Sequence, residues 1–190
     1  ITVSARAIDL GIDKAVSLNF YFCDNKKVVS ELKIDSLDIK GAILSGNFIL
    51  KAKVLKDNGL TGKLYSSNMT INSSALPDLK IFFKLTKDKL EVYSLNFGNA
   101  YRLKGTVKLK EQFETNIYFE ILRANLKDIA TIIKAKRPDV VTGVINGLFN
   151  IKGPLNNLQS SGFIGGRYGK IGPIWYDSAD IRIHGTGPII

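Results

Sequence analysis

Apolar and polar residues alternate along most of this chain. Val16, Leu18, Phe20 and Phe22 keep one phase, and Leu32 and Ile34 keep another that shifts by one residue before Leu37 and Ile39. Phe48, Leu50, Ala52 and Val54 alternate with Lys51 and Lys53, and Leu79, Ile81, Phe83 and Leu85 alternate with Lys80, Phe82 and Lys84. Leu103, Val107 and Leu109 oppose Lys104, Lys108 and Lys110, and Ile117, Phe119 and Ile121 share a face, as do Phe149 and Ile151. A period of two sends successive side chains to opposite sides of a strand, so each of these runs reads as β with one apolar face. Asp24-Asn25, Asp57-Asn58-Gly59, Lys87-Asp88, Gly98-Asn99 and Gly153-Pro154 supply the turns. Connections this short force antiparallel pairing, because a parallel crossover needs about a dozen residues or more.

A period near 3.6 appears only over residues 125–137. Asn125 caps it, Asp128 sits in its first turn, and Leu126, Ile129, Ala130 and Ile133 form one stripe. Lys134, Lys136 and Arg137 suit the negative end of the helix dipole, and Pro138 stops it. The fold class expected is therefore all-β and mainly antiparallel, with one short α-helix. A helix of that length spans about 20 Å, whereas about ten strands at about 4.8 Å spacing would spread nearly 50 Å. One helix cannot cover such a face. Either the sheet is strongly curved into an elongated open groove, or it folds into a closed β-sandwich. Gly41, Gly46, Gly105, Gly147 and Gly162 lie inside strand patterns and mark bends or bulges. Ser66 to Leu76 is Ser- and Asn-rich and reads as a weaker strand with a loop, and Gly165 to Ile171 as a turn.

The 190 residues read as a single β-rich segment with no linker or low-complexity tract. Opening on Ile1 and stopping at Ile190 just after a strand, it fits a piece of a longer chain. Within it, 1–76 patterns weakly, 77–122 is a clear meander, and 125–187 joins the helix to a Gly-rich strand module. Lys and Arg number 27 against 17 acidic residues, a net charge of +10, while 45% of residues are hydrophobic. That apolar share is ample for a folded protein. The lone Cys23 makes no internal disulfide, and no apolar run approaches the roughly 20 residues that span a bilayer.

The stretch 143–185 also carries a resemblance. Gly143, Gly147, Phe149, Ile151, Gly153, Pro154, Leu155, Asn157, Leu158, Gly162 and Gly185 follow a short helix in an order that resembles the C-terminal repeats of AsmA/TamB-like envelope proteins. The runs from Lys89 to Gly98 and from Tyr101 to Leu109 resemble that family's strand pairs. The resemblance implies a β-lined hydrophobic groove that carries phospholipid between membranes. It also implies a periplasmic or cell-envelope location, membrane anchors outside this segment, and inner- or outer-membrane partner proteins. A groove of this kind needs no cofactor.

The residues expected to line the apolar side are Phe48, Leu50, Val54, Ile81, Phe83 and Leu85, then Leu103, Val107, Leu109, Ile117, Phe119, Ile121, Phe149 and Ile151. An acyl lipid is the natural occupant, since it asks for apolar surface and no specific polar ligand. Catalytic chemistry has little to stand on, and no catalytic residue is nominated. One His and one Cys make no His/Cys metal cluster. His184 reads as a surface residue, and Asp177 with Asp180 lacks a partner base. Gly165 to Ile171 has Ile164 where a phosphate loop needs its first glycine, and Ile171 where it needs Ser or Thr. A nucleic-acid or polyanion binding module is the alternative from another class, given the charge and the Lys interleaved with Phe82, Tyr93 and Tyr101. Against it, the lysines are spread along nearly every strand, as on a solvated face. A structural or adhesive β-repeat with a closed core is the third reading.

Overall fold

The computed structural model describes residues 2–6, 16–23, 27–39, 42–56, 59–110, 113–132, 140–154 and 156–187. The chain is all-β and antiparallel with one short helix. It divides into two compact units, residues 1–87 with 93–98, and residues 88–92 with 99–190.

In the first unit, β1 (Thr2–Arg6), β2 (Val16–Cys23), β3 (Lys27–Ile39), β4 (Ala42–Val54) and β5 (Leu60–Ile71) pair in chain order. The two-residue β6 (Ser74–Ala75) folds back on β5, whose other partner is β7 (Leu79–Leu85). The Asp57-Asn58-Gly59 turn falls partly outside the described residues, but its closing bond, Leu55 N–H to the Gly59 carbonyl at 2.8 Å, is present. Asn72 and Ser73, with φ of 51° and 66°, make the tight turn between β5 and β6. Positive φ at both central positions matches the twist of the flanking strands. Sequence reasoning took 66–76 for a weak strand and loop. β5 supplies that strand as far as Ile71, and the Asn72-Ser73 turn and β6 follow it.

The strand β8 (Lys89–Phe97) contributes its first residues to the second unit and its last to the first. The second unit continues with β9 (Tyr101–Lys108), β10 (Thr115–Asn125), α1 (Leu126–Ile132), β11 (Val141–Gly153), β12 (Leu158–Ile171) and β13 (Ile174–Gly187). Each of β10 to β13 pairs antiparallel with the strand before it, the helix aside. Asn125 caps α1 as expected, its Oδ1 accepting the Lys127 N–H at 2.9 Å. The expected continuation of the helix, with Lys134, Lys136 and Arg137, lies outside the described residues. Among the described residues β1 and β13 each have one neighbouring strand, so the described ladder is not closed into a barrel.

Bulges recur in both units with the same construction. Two residues of one strand oppose one of its neighbour at Asn68-Met69 against Gly46, at Leu122-Arg123 against Asn146, and at Tyr168-Gly169 against Gly143. Asn68, Arg123 and Tyr168 all take the left-handed conformation, with φ of 55°, 49° and 50°. The Arg123 N–H, freed from the ladder, donates to Asn146 Oδ1 at 2.9 Å. Each bulge bends its strand and resets the alternation by one residue. Ser66 and Met69 both turn inward, as do Ile121 and Ala124, and Gly166 and Gly169. The phase shift read between Ile34 and Leu37 is also a bulge, with two residues of β3 opposite one of β4.

The Gly-rich residues 165–171 are not a turn but the interior of β12, and the chain reverses at Gly172-Pro173 instead. Partners' side chains explain why glycine suits a strand here. The Tyr176 ring lies over Gly166 and Gly169, its hydroxyl donating to the Thr142 carbonyl at 3.4 Å.

Candidate functional site

The ladder registers decide which side chains share a face. In the first unit they align Leu32, Phe48, Ser66 and Leu79 in one cross-strand row, and Ser30, Leu50, Leu64 and Ile81 in the next. Val28, Ala52, Gly62 and Phe83 follow, then Val54, Leu60 and Leu85. The nominated Phe48, Leu50, Val54, Ile81, Phe83 and Leu85 therefore lie on one face of β4 and β7, and all are half-buried. β5 joins them through Leu60 and Leu64. Sequence reasoning left both out because Gly62 and Ser66 interrupt the run, although their spacing of four keeps one phase.

In the second unit the rows are Tyr101, Ile121, Gly147 and Ile164; Leu103, Phe119, Phe149 and Gly162; and Gly105, Ile117, Ile151 and Ser160. Leu103, Val107, Ile117, Phe119, Ile121, Phe149 and Ile151 share this face, and Leu109 follows just past the end of β9. Tyr101, Phe119 and Phe149 form an aromatic ladder across three strands, with ring centroids 6.3 and 6.0 Å apart. The Phe149 ring crowds Gly162, where an added Cβ would stand 2.7 Å from its Cδ1. Glycine is required there by close approach, not by backbone angle.

What covers these faces is limited. In the second unit α1 lays Leu126 and Ile129 over the cluster of Ile121, Ala124 and Ile145. Elsewhere, among the described residues, no large side chain is fully buried, and the apolar rows stay half-buried. Polar atoms on this side are few. Thr115 Oγ1 donates to the Gly153 carbonyl at 3.0 Å. Ser66 Oγ, in a residue only 4% exposed between Phe48 and Leu79, has no hydrogen-bond partner.

The opposite sides carry the charge. Salt bridges join Lys89 to Glu91 at 2.7 Å, Lys110 to Asp88 at 2.5 Å and Arg102 to Glu120 at 3.9 Å, all at least partly solvated. Burial of the Tyr101 phenol, and secondarily the negative charge of Asp128, raises its pKa above the usual value. His184, Asp177 and Asp180 are exposed along β13. Among the described residues no group of three His, Cys, Asp or Glu side chains is placed to hold a metal ion, and no helix is long and apolar enough to cross a membrane. No known protein family, no curated protein and no solved structure matches the chain.

Proposed function

We propose that this chain is a non-enzymatic segment of a lipid-conducting or envelope-assembly protein, and that it holds acyl chains against the apolar faces of its antiparallel strands. One observation carries the reading. The rows of Leu, Ile, Phe and Val in each unit are only half-buried, with no second layer of described residues over most of them. Apolar surface of that extent calls for an occupant, and hydrocarbon fits a face whose lining offers almost no polar group. The resemblance of residues 143–185 to AsmA/TamB-like repeats supports the same reading, and with it a periplasmic setting and membrane-protein partners. The bulges add to it, since a bulge bends its strand and a curved sheet is what a groove needs.

The test is native mass spectrometry of the delipidated protein offered dioleoyl phosphatidylcholine, followed by organic extraction of what is bound. Near-stoichiometric uptake is expected. Phe83→Glu in the first unit and Phe149→Glu in the second each place a carboxylate where hydrocarbon would lie. Losing the burial of one aromatic ring is worth about 1.5 to 3 kcal/mol, so affinity at the altered face should fall about tenfold or more. Circular dichroism establishes that each variant is folded. No uptake by the unaltered protein, or undiminished uptake by folded variants, overturns the proposal.

A further inference from the structure

The lysines of the first unit do not stay dispersed once the strands pair. Lys27 stands directly opposite Lys53, and Lys51 directly opposite Lys63, while Lys51 and Lys53 are neighbours on the same face of β4. This face is the reverse of the one bearing Leu50, Leu64 and Ile81. Like charges opposite each other across a ladder are destabilising. Among the described residues no carboxylate pairs with any of the four. Glu31 lies on this face one row beyond Lys51 and Lys63.

Between these lysines lies a solvent-open depression of about 430 Å³. Its floor is the ladder itself, and its walls are the lysine stems with Val29, Phe82 and Tyr93. Lysine buries its methylenes along apolar surface while its ammonium stays in water, so the lining is apolar and the rim is cationic. Lys63 Nζ already stands 4.8 Å from the centre of the Phe82 ring, and Tyr93 is 56% exposed beside it. A volume of this size is within the range of small-molecule sites.

We propose that this depression binds a single-chain anionic amphiphile. The hydrocarbon lies on Val29, Phe82 and Tyr93, and a phosphate or carboxylate head is held among Lys27, Lys51, Lys53 and Lys63. The charge decides the occupant, since a zwitterionic or neutral head leaves four cations crowded and uncompensated, and a bare anion leaves the apolar walls unused. The site is independent of the opposite face and of what that face holds.

The experiment titrates the full chain by calorimetry with 1-oleoyl lysophosphatidic acid, 1-oleoyl lysophosphatidylcholine and inorganic phosphate, each below its aggregation threshold. Lysophosphatidic acid should bind saturably, at least tenfold tighter than the choline lipid and a hundredfold tighter than phosphate. Lys51→Gln/Lys63→Gln, at exposed positions that leave the fold intact, should weaken it at least tenfold. Leu64→Asn, on the reverse face, should leave it unchanged while reducing phospholipid uptake there, so that failure of either site is seen separately. Equal affinity for the two lipids, affinity for phosphate matching that for lysophosphatidic acid, or an unaffected double lysine variant overturns the proposal. So does tighter binding of oligothymidylate at physiological salt, which would make the face a nucleic-acid platform.

Discussion

Gly162→Ala tests how closely the strands of the second unit are packed over their apolar face. An added methyl would stand 2.7 Å from Phe149 Cδ1, 3.0 Å from Phe149 Cα and closer still to the Leu148 carbonyl oxygen. Two of those three atoms are backbone and cannot swing away. Overpacking of this kind costs about 1 to 3 kcal/mol, against about 0.5 to 1 kcal/mol recovered by removing glycine's freedom in the unfolded chain. A net loss of about 1 kcal/mol follows. Gly165→Ala, three residues on in the same strand, is the control. The one close atom there is Asp180 Oδ1 at 2.9 Å, the end of an exposed side chain that can rotate, so this variant should gain about 0.5 kcal/mol. Urea unfolding followed by far-ultraviolet circular dichroism separates the two. With a slope of about 2 kcal/mol per molar, their midpoints should differ by about 0.7 M. Phe149→Leu in the Gly162→Ala background should restore part of the loss, as expected for residues in contact. A midpoint for Gly162→Ala at or above that of Gly165→Ala would refute the reasoning.

Two further outcomes are expected. Tyr101 is held protonated by burial and by Asp128, so the unfolded chain ionises first; its contribution is fully present below about pH 10 and lost as pH rises through the raised value. Urea midpoints measured between pH 9 and 11 should fall more steeply for the native protein than for Tyr101→Phe, and parallel curves would remove Tyr101 from the account. Tyr168, at φ 50° and 80% exposed, carries left-handed strain of about 1 to 2 kcal/mol with little packing in return, so Tyr168→Gly should stabilise by about 1 kcal/mol and Tyr168→Ala should not. A thermal melt in which glycine does no better than alanine sinks that assignment.

Most of the strands were legible because their alternation is local. Leu79 to Leu85 states its phase in seven residues, and the shift between Ile34 and Leu37 is visible without any partner. Asn125 was legible as a cap for the same reason. The glycines of β12 were not. A residue without a side chain cannot show which face it belongs to, and the reason for Gly162, Gly166 and Gly169 lies in Phe149 and Tyr176 on neighbouring strands. The second half of β5 was legible only as a weak strand, because its bulge turns Ser66 and Met69 to the same side and interrupts the period of two. The lysines were legible as a solvated face, but not which of them stand opposite each other, since Lys27, Lys53, Lys51 and Lys63 meet only through register, which composition and spacing do not contain.

The bulges at Asn68, Arg123 and Tyr168 have a consequence for how such a chain can vary in length. Deleting one residue from an unbroken strand flips every later side chain to the wrong face. Deleting Asn68 does not, because Ser66 and Met69 already face the same way and a flush ladder would keep them so; the same holds for Arg123 between Ile121 and Ala124. These are the positions where single insertions and losses can accumulate while both the greasy and the charged surfaces survive. Drift in strand length among copies of this architecture should therefore collect at left-handed residues, leaving the inward phase on either side intact.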